Sequence, residues 1–168
     1  SPDRCYGPSL VNWQPDPNTC TVEVGVGVID TGFDAHHPVF KDRRINWGTV
    51  LEGEHASVQA WHGTGVLALL SGDPQSGMPG LIPNAAFTVA NTFYADAKGQ
   101  PATDTTTLIK ALRLMESYKV KVVNLSLAGP HDPVLHEQIR SLSAQGMLFV
   151  AAVGNGGPFA APSYPAAY

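Results

Sequence analysis

The chain has 168 residues, 43% of them hydrophobic, and a formal charge of −4, which suits one domain with a sizeable core and leaves no room for two full-sized ones. Lys and Arg are scattered apart from Lys41, Arg43 and Arg44, so no basic face is available to hold nucleic acid. The longest apolar run, MLFVAAV at 147–153, falls far short of the roughly 20 residues that a membrane-spanning helix needs.

Residues 1–20 contain four prolines and no periodicity, and read as an N-terminal arm or loop. The opening SPDRCYGPSLVNW lacks a basic stretch followed by an apolar one, so it is not itself an export signal; a signal removed upstream stays open. Cys5 and Cys20 are the only cysteines. Closing the loop between them as a disulfide would contribute ~3 kcal/mol in the chain-entropy model and would point to an oxidising compartment. Two reduced thiols are the alternative.

The domain proper is expected over residues 21–168. TVEVGVGVID (21–30) alternates and then turns continuously apolar at Val26–Ile29, the pattern of a strand buried on both faces in a parallel sheet. Short apolar runs at 86–93, 120–127 and 146–153 are further strand candidates. AWHGTGVLALLSG (60–72) reads as a helix with a polar first turn. In TDTTTLIKALRLMESYKV, Leu108, Leu112 and Met115 share one helical face, with Asp104 placed as N-cap. In DPVLHEQIRSLSAQG, Val134, Leu135, Ile139 and Leu142 form the apolar face, Pro133 stands at the first helical position and Gly146 just beyond the end. Strands alternating with helices imply a three-layer α/β/α fold around a parallel sheet.

Ligands of an open parallel sheet bind beyond the carboxyl ends of its strands. The residues there are Asp30-Thr31-Gly32 after the first strand, Ser126-Leu127-Ala128-Gly129 after the third, and Gly154-Asn155-Gly156-Gly157 after the last. Taken singly, Asp30 suits a turn cap, His62 a helix-start residue and Asn155 a left-handed turn. Together they suit chemistry. A carboxylate that holds one imidazole nitrogen fixes the tautomer a general base requires, and an amide flanked by glycines can donate to a developing oxyanion.

The segments VGVIDTG, HGTGV, NLSLAGP and AAVGN, in this order, with HHP (36–38), PGLIPNAAF (79–87) and SYPAAY (163–168), resemble the subtilisin-like serine peptidases, the subtilases. The resemblance implies a subtilisin-like fold, incomplete at the C-terminus, in an extracellular or periplasmic serine endopeptidase acting on peptide or protein substrates. It makes Asp30 the orienting carboxylate, His62 the base and Asn155 the oxyanion donor. It assigns Ser126, Leu127 and Ala128 to a segment that pairs with the substrate backbone, opposite an edge near residues 99–102. No cofactor is implied beyond a structural calcium ion, for which the loop SGDPQSGMPG (71–80) offers Asp73 as its sole carboxylate.

The sequence departs from the family pattern at Gly65, where a second histidine is usual, at Leu67, where a small residue is usual, and at Ala128, where glycine is usual. The family's nucleophile lies in a Gly-Thr-Ser motif, and the only Gly-Thr pairs here, Gly48-Thr49 and Gly63-Thr64, are followed by Val and Gly. The serine is expected downstream, so that these residues alone are inactive and, with a core left open, prone to form homodimers or swapped oligomers. The rival reading is a pseudo-peptidase that keeps the cleft as a binding module. A metal site built from His36, His37, His55, His62, Asp30 and Asp34 lacks helical ligand spacing, and Gly25-Val26-Gly27 lies inside a strand, not in a nucleotide-binding turn.

Overall fold

The computed structural model describes residues 12–13, 24–53 and 55–168. The expected arm, Asn12 and Trp13 aside, and both cysteines lie outside the described residues. The strands are β1 (Gly25–Asp30), β2 (Ile45–Thr49), β3 (Ala86–Asn91), β4 (Tyr94–Ala95), β5 (Pro101–Ala102), β6 (Val122–Leu125) and β7 (Leu148–Ala151). The helices are α1 (Trp61–Ser71), α2 (Thr105–Ser117) and α3 (Pro133–Ala144).

Five strands form one sheet in the order β2-β3-β1-β6-β7, and every neighbouring pair is parallel. The first strand in sequence therefore lies at the centre. Its odd and even residues face opposite layers, as the two-residue period of a strand demands. Ile29 joins Leu108, Leu112, Met115, Leu135 and Ile139 of α2 and α3 in one core. Val26 and Val28 join Leu67 and Ala68 of α1, with Val39 and Phe40, in the other. These are the three layers that the alternation of elements predicts.

The helix ends follow the sequence signals. Asp104 caps α2, its carboxylate accepting the Thr107 N–H at 2.9 Å. Asp132 caps α3, accepting the Val134 and Leu135 N–H groups, both at 2.9 Å, with Pro133 in the first turn. Thr105 donates its hydroxyl to Asp132 at 2.7 Å and ties the two helix N-termini together. The strands are shorter than the apolar runs that announce them. The runs at 120–127 and 146–153 hold four-residue strands, because beyond Leu125 and Ala151 the parallel register stops.

Candidate active site

Asp30 ends β1 on the same face as Val26 and Val28, the face that α1 covers. Alternation thus carries the carboxylate toward the helix that bears His62. The side chain is 1% exposed, and a carboxylate so buried needs donors. It finds three contacts. The Thr31 N–H donates to Oδ1 at 2.7 Å, and His62 Nδ1 lies 2.8 Å from Oδ1 and 3.0 Å from Oδ2. An ionised carboxylate only accepts, so Nδ1 carries the proton and Nε2 is left as the basic nitrogen.

The helix is brought this close by its small residues. Gly63 is buried, its N–H donates to Thr31 Oγ1 at 3.1 Å, and a Cβ added there would lie 1.9 Å from the Gly32 carbonyl oxygen. Gly32 itself has φ +78°, a conformation that glycine adopts without strain. Thr64 donates to the Ala60 carbonyl at 2.7 Å and accepts the Asp34 N–H at 2.9 Å, which joins the first turn of α1 to the loop after β1. On the other side, the Thr92 N–H donates to the Asp30 carbonyl at 3.0 Å. Both components of the dyad are therefore held by bonds between main-chain groups and the threonines beside them.

His62 is 43% exposed and opens on a cavity of about 540 Å³. One wall is Ser126, Leu127 and Ala128; another is Pro101, Ala102 and Thr103. Ser126–Ala128 lies past the last registered pairs of β6 with β1 and β7, and the Ser126 hydroxyl accepts from Asn124 Nδ2 at 2.7 Å. Pro101–Ala102 is β5, paired antiparallel with β4. Two chain edges thus border one cleft beside the imidazole. His131, Asp132 and Tyr164 line the same cavity. The Asp132 carboxyl is held below the usual carboxylate range, first by the Leu135 N–H and the Thr105 hydroxyl, then by the Val134 N–H and the neighbouring His131.

Asn155 is exposed and lies outside the cavity lining. Its predecessor Gly154 has φ +84°, and a Cβ there would lie 3.5 Å from that of Ala128 and 3.2 Å from Ser163 Oγ. The loop that carries Asn155 thus abuts the Ser126–Ala128 wall. Residue patterns alone named Thr31 only as part of the turn after the first strand, and missed Thr92 and Trp61. Thr31 and Thr92 carry no signal beyond standing after strand ends, whereas an apolar indole in the polar first turn of α1 was a visible anomaly.

Among the described residues, no three His, Cys, Asp or Glu side chains converge as a metal site. His37 accepts the Val39 N–H at 3.2 Å, and the His55 ring lies 4.8 Å from that of Tyr94. Asp73 accepts the Gln75 N–H at 3.1 Å and caps a short turn.

The family model of the subtilases, peptidase family S8, matches residues 22–168. The chain belongs to the subtilase family. This subtilase is 29% identical over 157 residues to the major intracellular serine protease of Bacillus subtilis (strain 168), with 86% of the chain and 48% of that protein covered. It is 32% identical over 149 residues to subtilisin BL of Lederbergia lenta, covering 86% of the chain and 52% of the relative. Among solved structures, the S218A mutant of the protease domain of PatA superposes with a TM-score of 0.74 at 21% identity, over 89% of the chain and 57% of that domain. The fold is thus the subtilisin-like one. The subtilase chain spans about half the length of the curated relatives it matches. The relative from Bacillus subtilis is named as intracellular, so kinship with the family does not fix a compartment.

Proposed function

We propose that the chain supplies the base, its orienting carboxylate and much of the substrate cleft of a serine endopeptidase. The observation that carries this reading is the buried Asp30 carboxylate against His62 Nδ1 at 2.8 Å. With Nδ1–H held by Asp30, Nε2 takes the proton of a serine hydroxyl as its oxygen bonds to the scissile carbonyl carbon. The tetrahedral oxyanion is stabilised by donors that include the Asn155 amide. Nε2–H then protonates the leaving amine as the C–N bond breaks, leaving an acyl-enzyme that water hydrolyses by the same proton path. The buried carboxylate stabilises the imidazolium formed at each stage.

The substrate backbone lies between Ser126–Ala128 and the β5 edge as an added antiparallel strand, since both border the cleft and Ser126–Ala128 is outside the sheet register. The nucleophile is the serine of a Gly-Thr-Ser segment, a motif that residues 1–168 do not contain. The test uses the intact protein on casein and on a quenched peptide, comparing wild type with Asp30→Asn and His62→Ala. Loss of the carboxylate from such a dyad costs roughly 10⁴-fold in kcat, and His62→Ala is expected to cost at least as much. Equal rates for His62→Ala and wild type would sink the assignment. Peptide binding without hydrolysis by the intact wild type would favour the binding module instead.

A further inference from the structure

Trp61, the first residue of α1, has no place in either hydrophobic core. Its side chain is 72% exposed, an unusual position for the largest apolar ring. It does nothing for the helix start, where Ala60 stands as N-cap with no side-chain cap bond. What it does is wall the cavity beside the base. The indole lies with its ring centroid 5.9 Å from that of His62, at 76°, edge against face, and Phe93 and Leu127 line the same cavity. No Lys or Arg lines it, and the carboxylates of Asp104 and Asp132 are engaged by the N-termini of α2 and α3. The space next to His62 is thus bounded by an accessible flat ring, with the imidazoles of His62 and His131 as the basic groups of the lining and no lysine or arginine to draw an acidic group.

We propose that Trp61 is a specificity-determining residue, its indole taking an aromatic side chain of a peptide that lies in the cleft beside His62. An aromatic ring packed on the indole gains both buried apolar area and ring-to-ring geometry. Alanine at the same position gains neither. Because the indole abuts His62, the preference applies to a residue close to the bond being cut and not to a distant anchor. The proposal rests on reading the cavity as a peptide cleft.

The test is a scan in which one phenylalanine is moved through every position of an alanine hexapeptide, each peptide carrying a donor and a quencher. The intact protein is assayed for kcat/KM as wild type, Trp61→Ala and Trp61→Phe. At one position the wild type is expected to prefer Phe to Ala by about tenfold. Trp61→Ala should bring that ratio close to one, and Trp61→Phe should keep most of it. The ratio is independent of how much of each variant is folded, so a general loss of structure cannot imitate the result. A ratio unchanged in Trp61→Ala, or no position with a preference, overturns the role of Trp61 while leaving the peptidase reading intact. Failure of the wild type to bind or cut any peptide overturns both.

Discussion

At the scale of single residues, two glycines of α1 separate what the site requires from what it tolerates. Gly63 is buried where an added methyl would meet the Gly32 carbonyl, whereas nothing lies within 4 Å of a methyl added at exposed Gly65. Gly63→Ala is expected to destabilise by about 1–3 kcal/mol, the usual range for overpacking, and to move His62 away from Asp30. Gly65→Ala is expected to stabilise by up to about 1 kcal/mol through helix propensity. Guanidinium melts of the two variants measure both, and a Gly63→Ala protein as stable as wild type would refute the close-contact account. Asp30 and His62 were legible only as a pair, because a carboxylate at a strand end and a histidine at a helix start are each ordinary taken singly and suit chemistry when they meet. Asn155 was legible as a glycine-flanked amide, but its position outside the cavity lining was not, since the path of a turn-rich loop depends on what packs around it. The contact that seats α1 was illegible, because Gly63 looks like Gly65 until the Thr31–Gly32 turn is seen beneath it.

At the scale of elements, caps and parity were the readable features. Asp104→Ala removes the acceptor of the Thr107 N–H and Oγ1 and is expected to cost about 1 kcal/mol, read as a lower midpoint in urea. Asp132 adds a pH dependence. Its folded-state pKa is lowered, so its stabilisation is fully present above the ordinary carboxylate pKa and is lost as pH falls through the folded value. The stability gap between wild type and Asp132→Ala should therefore be widest at pH 7 and shrink as pH falls below the ordinary carboxylate range. A gap that stays constant would show that the charge of Asp132 plays no part. The sequence signals missed β2, β4 and β5. INWGT pairs only with β3 and has three of its five residues exposed, so β2 shows neither the alternation nor the continuous apolar run that marked β1. The two-residue strands β4 and β5 are too short for any period to register.

For the whole molecule, parallel alternation gave the class of fold, but strand order lay beyond the reach of periodicity, which encodes faces and not neighbours. The outer strand β7 has Leu148 65% and Val150 58% exposed, although strands of parallel sheets are ordinarily covered on both faces. An unpaired edge beside such a face is a template for association. The 168-residue chain studied alone is expected to self-associate at micromolar concentration, and Leu148→Lys with Val150→Lys to shift it toward monomer in sedimentation velocity. Equal sedimentation of the variant and the wild type would argue against β7 as the contact.

The central place of β1 has a kinetic consequence. The strand is the earliest of the sheet in sequence, yet both of its partners, β3 and β6, come dozens of residues later. Closing such loops is an entropic cost met before any ladder bond forms, and chains dominated by distant pairings fold slowly. Until β3 and β6 arrive, Val26, Val28 and Ile29 lack their sheet partners, and Asp30 lacks the Thr92 N–H that holds its carbonyl. Assembly of the dyad is therefore expected at a late stage of folding, when the middle of the sheet closes.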